Sequence, residues 1–517
     1  MSIRGPFVRR LGMKKRLSLL IAAALLAGPV GVAQASEPTL VRTDAGPVRG
    51  TVLADHQLYQ GIPYAAPPVG ELRWRSPQPV TPWTAPRDAT APGAACAQAA
   101  GAGSPSSTED CLYLNVDTPS RHGRKPVMVY LHGGGNSYLS GAGYGTGRLA
   151  VQGDVVVVTI NYRLGFFGFF GHPDLPDSGA YGIEDQQAAL RWVQRNATAF
   201  GGDPRNVTVF GESGGAFDVC AHVTSPLSRG LFHRAIAQSG GCSTTWGANG
   251  VIHGKAAGAP WISQKAAQAD AVAVSAQLGC SDVECLRALP PRAFTAIDRG
   301  TTPVVVGNRV LPVHPVEALR SGRFNRVPVI WGNTRDEGRL TSATVPEPFD
   351  YPGLLEQSFG ADRAAEIIAE YPVSAYGNAR LAYGAVLTDG VWACNQLADD
   401  DRLLARFTPT YGYEFADRTA PAGWFKDLFS ESFPAGAPHS FELSYLFDIP
   451  TFDLNPAQRE LAATMIRDWT TFARTGKPGW APYRSGRVHQ YELGGIGQIN
   501  ALTRHNCSFW NSVGNRV

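Results

Sequence analysis

The chain has 517 residues, a formal net charge of +3 and only 17% Asp, Glu, Lys and Arg, with no long block of one sign. That balance leaves no electrostatic footprint for nucleic acid and excludes a polyanionic partner. By length the chain suggests about three average domains, but large α/β enzymes often fold this much sequence as one unit.

The amino terminus reads as an export signal. Lys14, Lys15 and Arg16 precede an apolar run from Leu17 to Val32, and Ala33-Gln34-Ala35 offers the small residues that a signal peptidase accepts. The expectation is a signal peptide over residues 1–35, one domain over residues 36–517, and a secreted protein with no stable membrane anchor after cleavage. Arg9-Arg10 upstream leaves the export route open. All eight cysteines follow the signal, at Cys96, Cys111, Cys220, Cys242, Cys280, Cys285, Cys394 and Cys507. An even count in an exported chain points to bridges, but spacing alone fixes no connectivity, and free buried thiols are the alternative for Cys220 and Cys242. Cys280 and Cys285 have no second pair at the spacing a metal finger needs.

Apolar, β-branched runs recur at 126–131, 155–160, 207–210, 235–237 and 327–331. Continuous hydrophobicity of this kind predicts strands buried on both faces of a mostly parallel sheet. Between the second and third runs, Ala188, Ala189, Trp192, Val193 and Ala197 fall at helical spacing, predicting a helix from Asp185 to Phe200 that ends at Gly201-Gly202. Further helices are predicted within 263–289 and 352–401, forming a cap over the sheet's carboxyl edge.

The first run leads into His132-Gly133-Gly134-Gly135, whose bare backbone can aim N–H groups at a carbonyl oxygen. The third leads into Gly211-Glu212-Ser213-Gly214-Gly215, a strand-to-helix turn that lifts a serine hydroxyl into a cleft. Gly134, Gly135 and Gly214 are the candidate oxyanion donors. Where such an elbow carries the nucleophile, the acid and histidine follow it in that order. The fifth run is followed by Asp336-Glu337, either of which could be the acid, and His439 stands out among the late histidines in Gly436-Ala437-Pro438-His439-Ser440-Phe441-Glu442.

Together these marks resemble the type B carboxylesterases, the α/β-hydrolase group that includes carboxylesterases, cholinesterases and secreted lipases. The likeness extends over Gln60-Gly61-Ile62-Pro63-Tyr64-Ala65, Glu109-Asp110-Cys111-Leu112-Tyr113-Leu114-Asn115-Val116, Asn161-Tyr162-Arg163 and Phe200-Gly201-Gly202-Asp203-Pro204 as well as the elbow. The resemblance implies Ser213 as nucleophile, Glu337 rather than Asp336 as acid, and His439 as base. It implies supporting roles for Glu212 and Ser239, no metal or organic cofactor, and a small-molecule ester as partner. It also implies the bridges Cys96–Cys111, Cys280–Cys285 and Cys394–Cys507, leaving Cys220–Cys242 as the remaining pair.

Two departures stand out. Asn136 follows the glycines where relatives carry an aromatic or small apolar residue, and Gly214 replaces the commoner alanine. The short stretch between Cys96 and Cys111 has no tryptophan to receive a quaternary ammonium and is too short for a long lid. The expected function is a secreted serine hydrolase of small to medium uncharged esters, with loss of activity below about pH 6 for an unperturbed imidazole. The alternatives are a lipase for long-chain acylglycerols and a non-catalytic adhesion protein on the same fold. Oligomeric state is not readable from the sequence.

Overall fold

The apolar runs become the centre of an eleven-stranded sheet. In the computed structural model, which describes residues 39–513 other than 102 and 176, its strands are β1 (Thr51–Val52), β2 (Gln57–Pro63), β3 (Tyr113–Thr118), β4 (Lys125–Leu131), β5 (Val156–Ile160), β6 (Gly202–Glu212), β7 (Arg234–Gln238), β8 (Val329–Thr334), β9 (Thr410–Phe415), β10 (Arg487–Tyr491) and β11 (Gly497–Asn500). The signal segment expected at 1–35 lies outside the described residues. The spatial order is β11-β10-β9-β8-β7-β6-β4-β5-β3-β2-β1. From β5 to β10 neighbouring strands are parallel, and antiparallel strands finish both edges.

Every residue of β4 and β5 is buried, which explains their uninterrupted hydrophobicity. Alternate side chains serve opposite faces. Val127, Val129 and Leu131 join a core with Ile183, Leu190 and Trp192 of helix α1 (Tyr181–Asn196) and Val219 of helix α2 (Gly214–Thr224). Met128 and Tyr130 join the other, with Leu461, Met465 and Trp469 of a long helix, α3 (Pro456–Thr475).

Helix α1 begins a turn earlier than its apolar spacing predicts, because Ile183 is already packed in the core and Gly182 hides the periodicity there. Its expected last residues instead form a tighter 3₁₀ turn, Ala197–Phe200, closed by Gly201 at φ 80°. Helices also fill much of the two stretches expected to cap the sheet, including Gln264–Gln277, Val283–Ala288, Tyr351–Phe359, Ala361–Glu370 and Ala379–Leu387.

Four disulfides join Cys96 to Cys111, Cys220 to Cys242, Cys280 to Cys285 and Cys394 to Cys507. The alternative of free thiols at Cys220 and Cys242 is therefore discarded, since that bridge ties α2 to the segment after β7. The last bridge spans 113 residues, a loop for which chain-entropy arguments give about 5 kcal/mol. Because β4, β6 and β8 are parallel, the loops after Leu131, Glu212 and Thr334 all leave the same sheet edge. Those loops carry the candidate site.

Candidate active site

Ser213 stands between β6 and α2 with φ 54° and ψ −119°, a conformation costly for a residue with a side chain. Its neighbours allow the turn. A Cβ on Gly211 would lie 2.5 Å from Gly215 O, and one on Gly215 would run into Leu131 O of β4. Bare backbone at both positions lets the strand turn directly into the helix. The Ser213 N–H donates to Gln238 O on β7 at 2.9 Å, fixing the elbow to the sheet.

The glycine loop after β4 packs against the start of α2. A Cβ on Gly214 would be 2.7 Å from Gly135 N, so these backbones nearly touch. Gly134 and Gly135 have φ of 91° and 57°, which glycine adopts without penalty. Their carbonyls are engaged: Gly134 O accepts from Ser137 N and Gly135 O from Thr302 N, at 2.9 and 2.8 Å. The N–H groups of Gly134, Gly135 and Gly214 donate to no protein group among the described residues. Backbone N–H groups left without a protein acceptor are the kind of donor that can stabilise an oxyanion.

His439 and Glu337 meet closely, with ring Nδ1 2.6 Å from Glu337 Oε2. The other carboxylate oxygen, Oε1, accepts from Thr334 N at 2.7 Å. The buried hydroxyl of Ser239 has no hydrogen-bond partner in this arrangement, and Thr334 N–H holds Glu337. Asp336, the alternative acid, does different work. It accepts from Ala437 N at 3.0 Å, binds Arg418 through both oxygens and pairs with Arg339, pinning the loop that presents His439.

The opposite ring nitrogen, Nε2, faces Glu212 Oε1 at 3.1 Å, and Ser440 Oγ donates to the same oxygen at 2.8 Å. No hydrogen bond joins Ser213 Oγ to the ring in this arrangement. Ser213 is nevertheless next in the chain to the carboxylate that holds Nε2. Burial opposes the charged imidazolium, yet Glu212 and Glu337, with Glu442 behind them, outweigh it and hold His439 up at about 9. Burial likewise drives Glu212 up to about 7 and Glu442 up to about 8. Glu442 is anchored by Gln238 Nε2 at 3.1 Å; it sits three residues after His439, and nothing in the sequence singled it out. Trp392 also escaped sequence reasoning. It lies on a π-helical segment, Thr388–Ala393, with its ring 4.7 Å from the His439 ring and stacked beyond it on Phe217.

This geometry accords with what the chain resembles. The profile of the carboxylesterase family matches residues 37–510. The chain belongs to the carboxylesterase family. It is 38% identical to a fumonisin B1 esterase of Sphingopyxis macrogoltabida, covering 86% of this chain and 84% of that protein. It is 33% identical to the para-nitrobenzyl esterase of Bacillus subtilis (strain 168), over 85% and 90% of the two chains, and 31% identical to an acetylcholinesterase of Bungarus fasciatus, over 91% and 86%. The enzyme is thus a serine carboxylic-ester hydrolase with the α/β-hydrolase fold.

Proposed function

We propose that this carboxylesterase, exported by its first 35 residues and acting as one unit over residues 36–517, cleaves small to medium uncharged esters through an acyl-enzyme on Ser213. Ser213 Oγ attacks the ester carbonyl while His439 takes its proton; Glu337 holds the ring's tautomer through Nδ1 and offsets its charge. The amides of Gly134, Gly135 and Gly214 receive the oxyanion, His439 returns the proton to the leaving alcohol, and water repeats the cycle. The observation that carries this reading is the Glu337–His439 contact of 2.6 Å at the same sheet edge as three unoccupied amide donors. To act as base, Nε2 must leave Glu212 and turn to the hydroxyl of the next residue. The stretch between the first two cysteines supports small substrates: it folds back on itself through paired backbone hydrogen bonds between Gln98 and Ser106, a tight tie rather than a lid.

Purified protein mixed with p-nitrophenyl esters of graded acyl length should release a burst of nitrophenol equal to the enzyme concentration, then turn over steadily. A linear time course with no burst at any length, with deacylation shown not to be fast, would remove the acyl-enzyme. Strong activation on emulsified triglyceride would instead favour the long-chain lipase.

The pH profile follows from the carboxylates around the ring. A base must be neutral, so activity falls as pH drops through the His439 pKa. With Glu212 and Glu337 raising that value, the acid limb of kcat/KM should lie above the ordinary imidazole value of about 6.5, not near pH 6. Glu212→Gln should move the limb toward lower pH by about 1 unit or more. An unmoved limb in that variant would show that Glu212 does not set it.

A further inference from the structure

The residue after the oxyanion glycines is tied to the helix that carries the serine. Asn136 is buried and left-handed, with φ 59°, and its Nδ2 donates to Asp218 Oδ1 at 3.2 Å. Asp218 is the fifth residue of α2 and fully buried, and Gln186 Nε2 donates to its other oxygen at 2.5 Å. The Gln186 orientation is fixed in turn: its Oε1 meets His222 Nε2 at 2.8 Å, and His222 Nδ1 meets Ser228 Oγ at 2.9 Å. With His222 neutral, as burial dictates by pulling it down to about 3, Ser228 donates to the ring, the ring to Gln186 and Gln186 to Asp218. Every donor in the chain therefore points toward the carboxylate.

We propose that Asp218 is a positioning residue for the oxyanion hole, holding the Gly134–Gly135–Asn136 loop against the start of α2 through the Asn136 amide. This rests on the reading of Ser213 and its three amide donors given above. Among the described residues no cation compensates Asp218, unlike Asp185, which is paired with Arg163 at 2.7 Å. Burial accordingly drives its carboxyl up to about 7. A carboxylate kept at that cost, one hydrogen bond from the donor loop, matches a requirement for placement rather than for bulk packing. The loop has little room to absorb an error, since Gly214 and Gly135 are already in near contact. The Asp218 link sets where the donors sit relative to Ser213, and so acts on the transition state more than on substrate binding.

Two variants test this. Asp218→Asn is close to isosteric but presents an amide donor to either Asn136 or Gln186, both of which donate. Asn136→Gly keeps the left-handed backbone and deletes the link, along with the longer 3.4 Å hydrogen bond that Asn136 Oδ1 accepts from Tyr162 OH, so it serves if Asp218→Asn fails to fold. For each, kcat and KM are measured on p-nitrophenyl acetate, together with the inhibition constant of an aryl trifluoromethyl ketone, which adds the serine oxygen to its carbonyl and needs the oxyanion donors.

The expected result is a fall in kcat of about 10- to 100-fold with KM within about twofold, and weaker ketone inhibition by a similar factor. The double variant should lose little more than either single one. Unchanged kcat and ketone affinity in folded Asn136→Gly, or a rise in KM alone, would overturn the proposal. If the wild-type enzyme itself showed no acyl-enzyme and no ketone inhibition, the reading of Ser213 would fail instead.

Discussion

Replacement of Ser213 by alanine is expected to lower kcat on a p-nitrophenyl ester by about 10⁴-fold or more and to remove the burst. Ser213 stands at the elbow between β6 and α2, and the amides of Gly134, Gly135 and Gly214 have no protein acceptor among the described residues. His439→Ala should cost about as much, and the double variant little beyond either single, because nucleophile and base act as one unit. Steady-state kinetics on the three proteins check this. Additive losses would mean that the two side chains work in separate steps.

The second large effect concerns stability. His505→Ala should destabilise the fold by about 3–5 kcal/mol, read as a lowered denaturation midpoint. The ring lies between two buried carboxylates, with Nδ1 2.7 Å from Asp389 and Nε2 2.6 Å from Glu414. Removing it strands both, although Arg504 still meets Glu414 at 2.6 Å. Tyr371 OH donates to Asp389 at 2.8 Å and receives Trp510 Nε1 at 2.8 Å, so the cluster joins the carboxyl-terminal helix to the π-helical segment bearing Trp392.

Burial alone would pull His505 down, but Asp389 and Glu414 outweigh it and hold it up at about 10. A raised folded pKa means that the proton stabilises the native state fully below the unfolded value of about 6.5, and that this contribution is lost as pH rises through about 10. Wild-type stability should therefore decline between those limits, and the difference from His505→Ala should shrink with it. A difference that stayed constant from pH 6 to pH 10 would contradict the charged-ring account.

Much of this architecture could be read from residue order because burial leaves a plain trace. Strands covered on both faces, such as β4 and β5, must be apolar throughout, and a turn as tight as Gly211 to Gly215 must be free of side chains. The choice between Asp336 and Glu337 was different in kind. Both are acidic and adjacent, and only the fold shows that one clamps Ala437 and Arg418 while the other faces the ring.

The backbone N–H of Thr334 that holds Glu337 carries no mark in the sequence, since any residue but proline at that position would supply it. Contacts made across long separations left no local mark at all. Trp392 reaches His439 from a different segment, and Asp218 reaches Asn136 from 82 residues away. Glu212 was visible as a neighbour of the serine, yet its position opposite Nε2 depends on where the loop after β9 lies.

Trapping the covalent intermediate tests the central claim most directly. After reaction with a p-nitrophenyl phosphonate, which transfers its phosphonyl group to an activated serine and releases nitrophenol, the protein can be weighed intact and its peptides sequenced by mass spectrometry. The account predicts one phosphonyl group per chain, on Ser213, and none on Ser213→Ala. A modification found on another residue, or an unmodified wild-type enzyme that still hydrolyses esters, would contradict it.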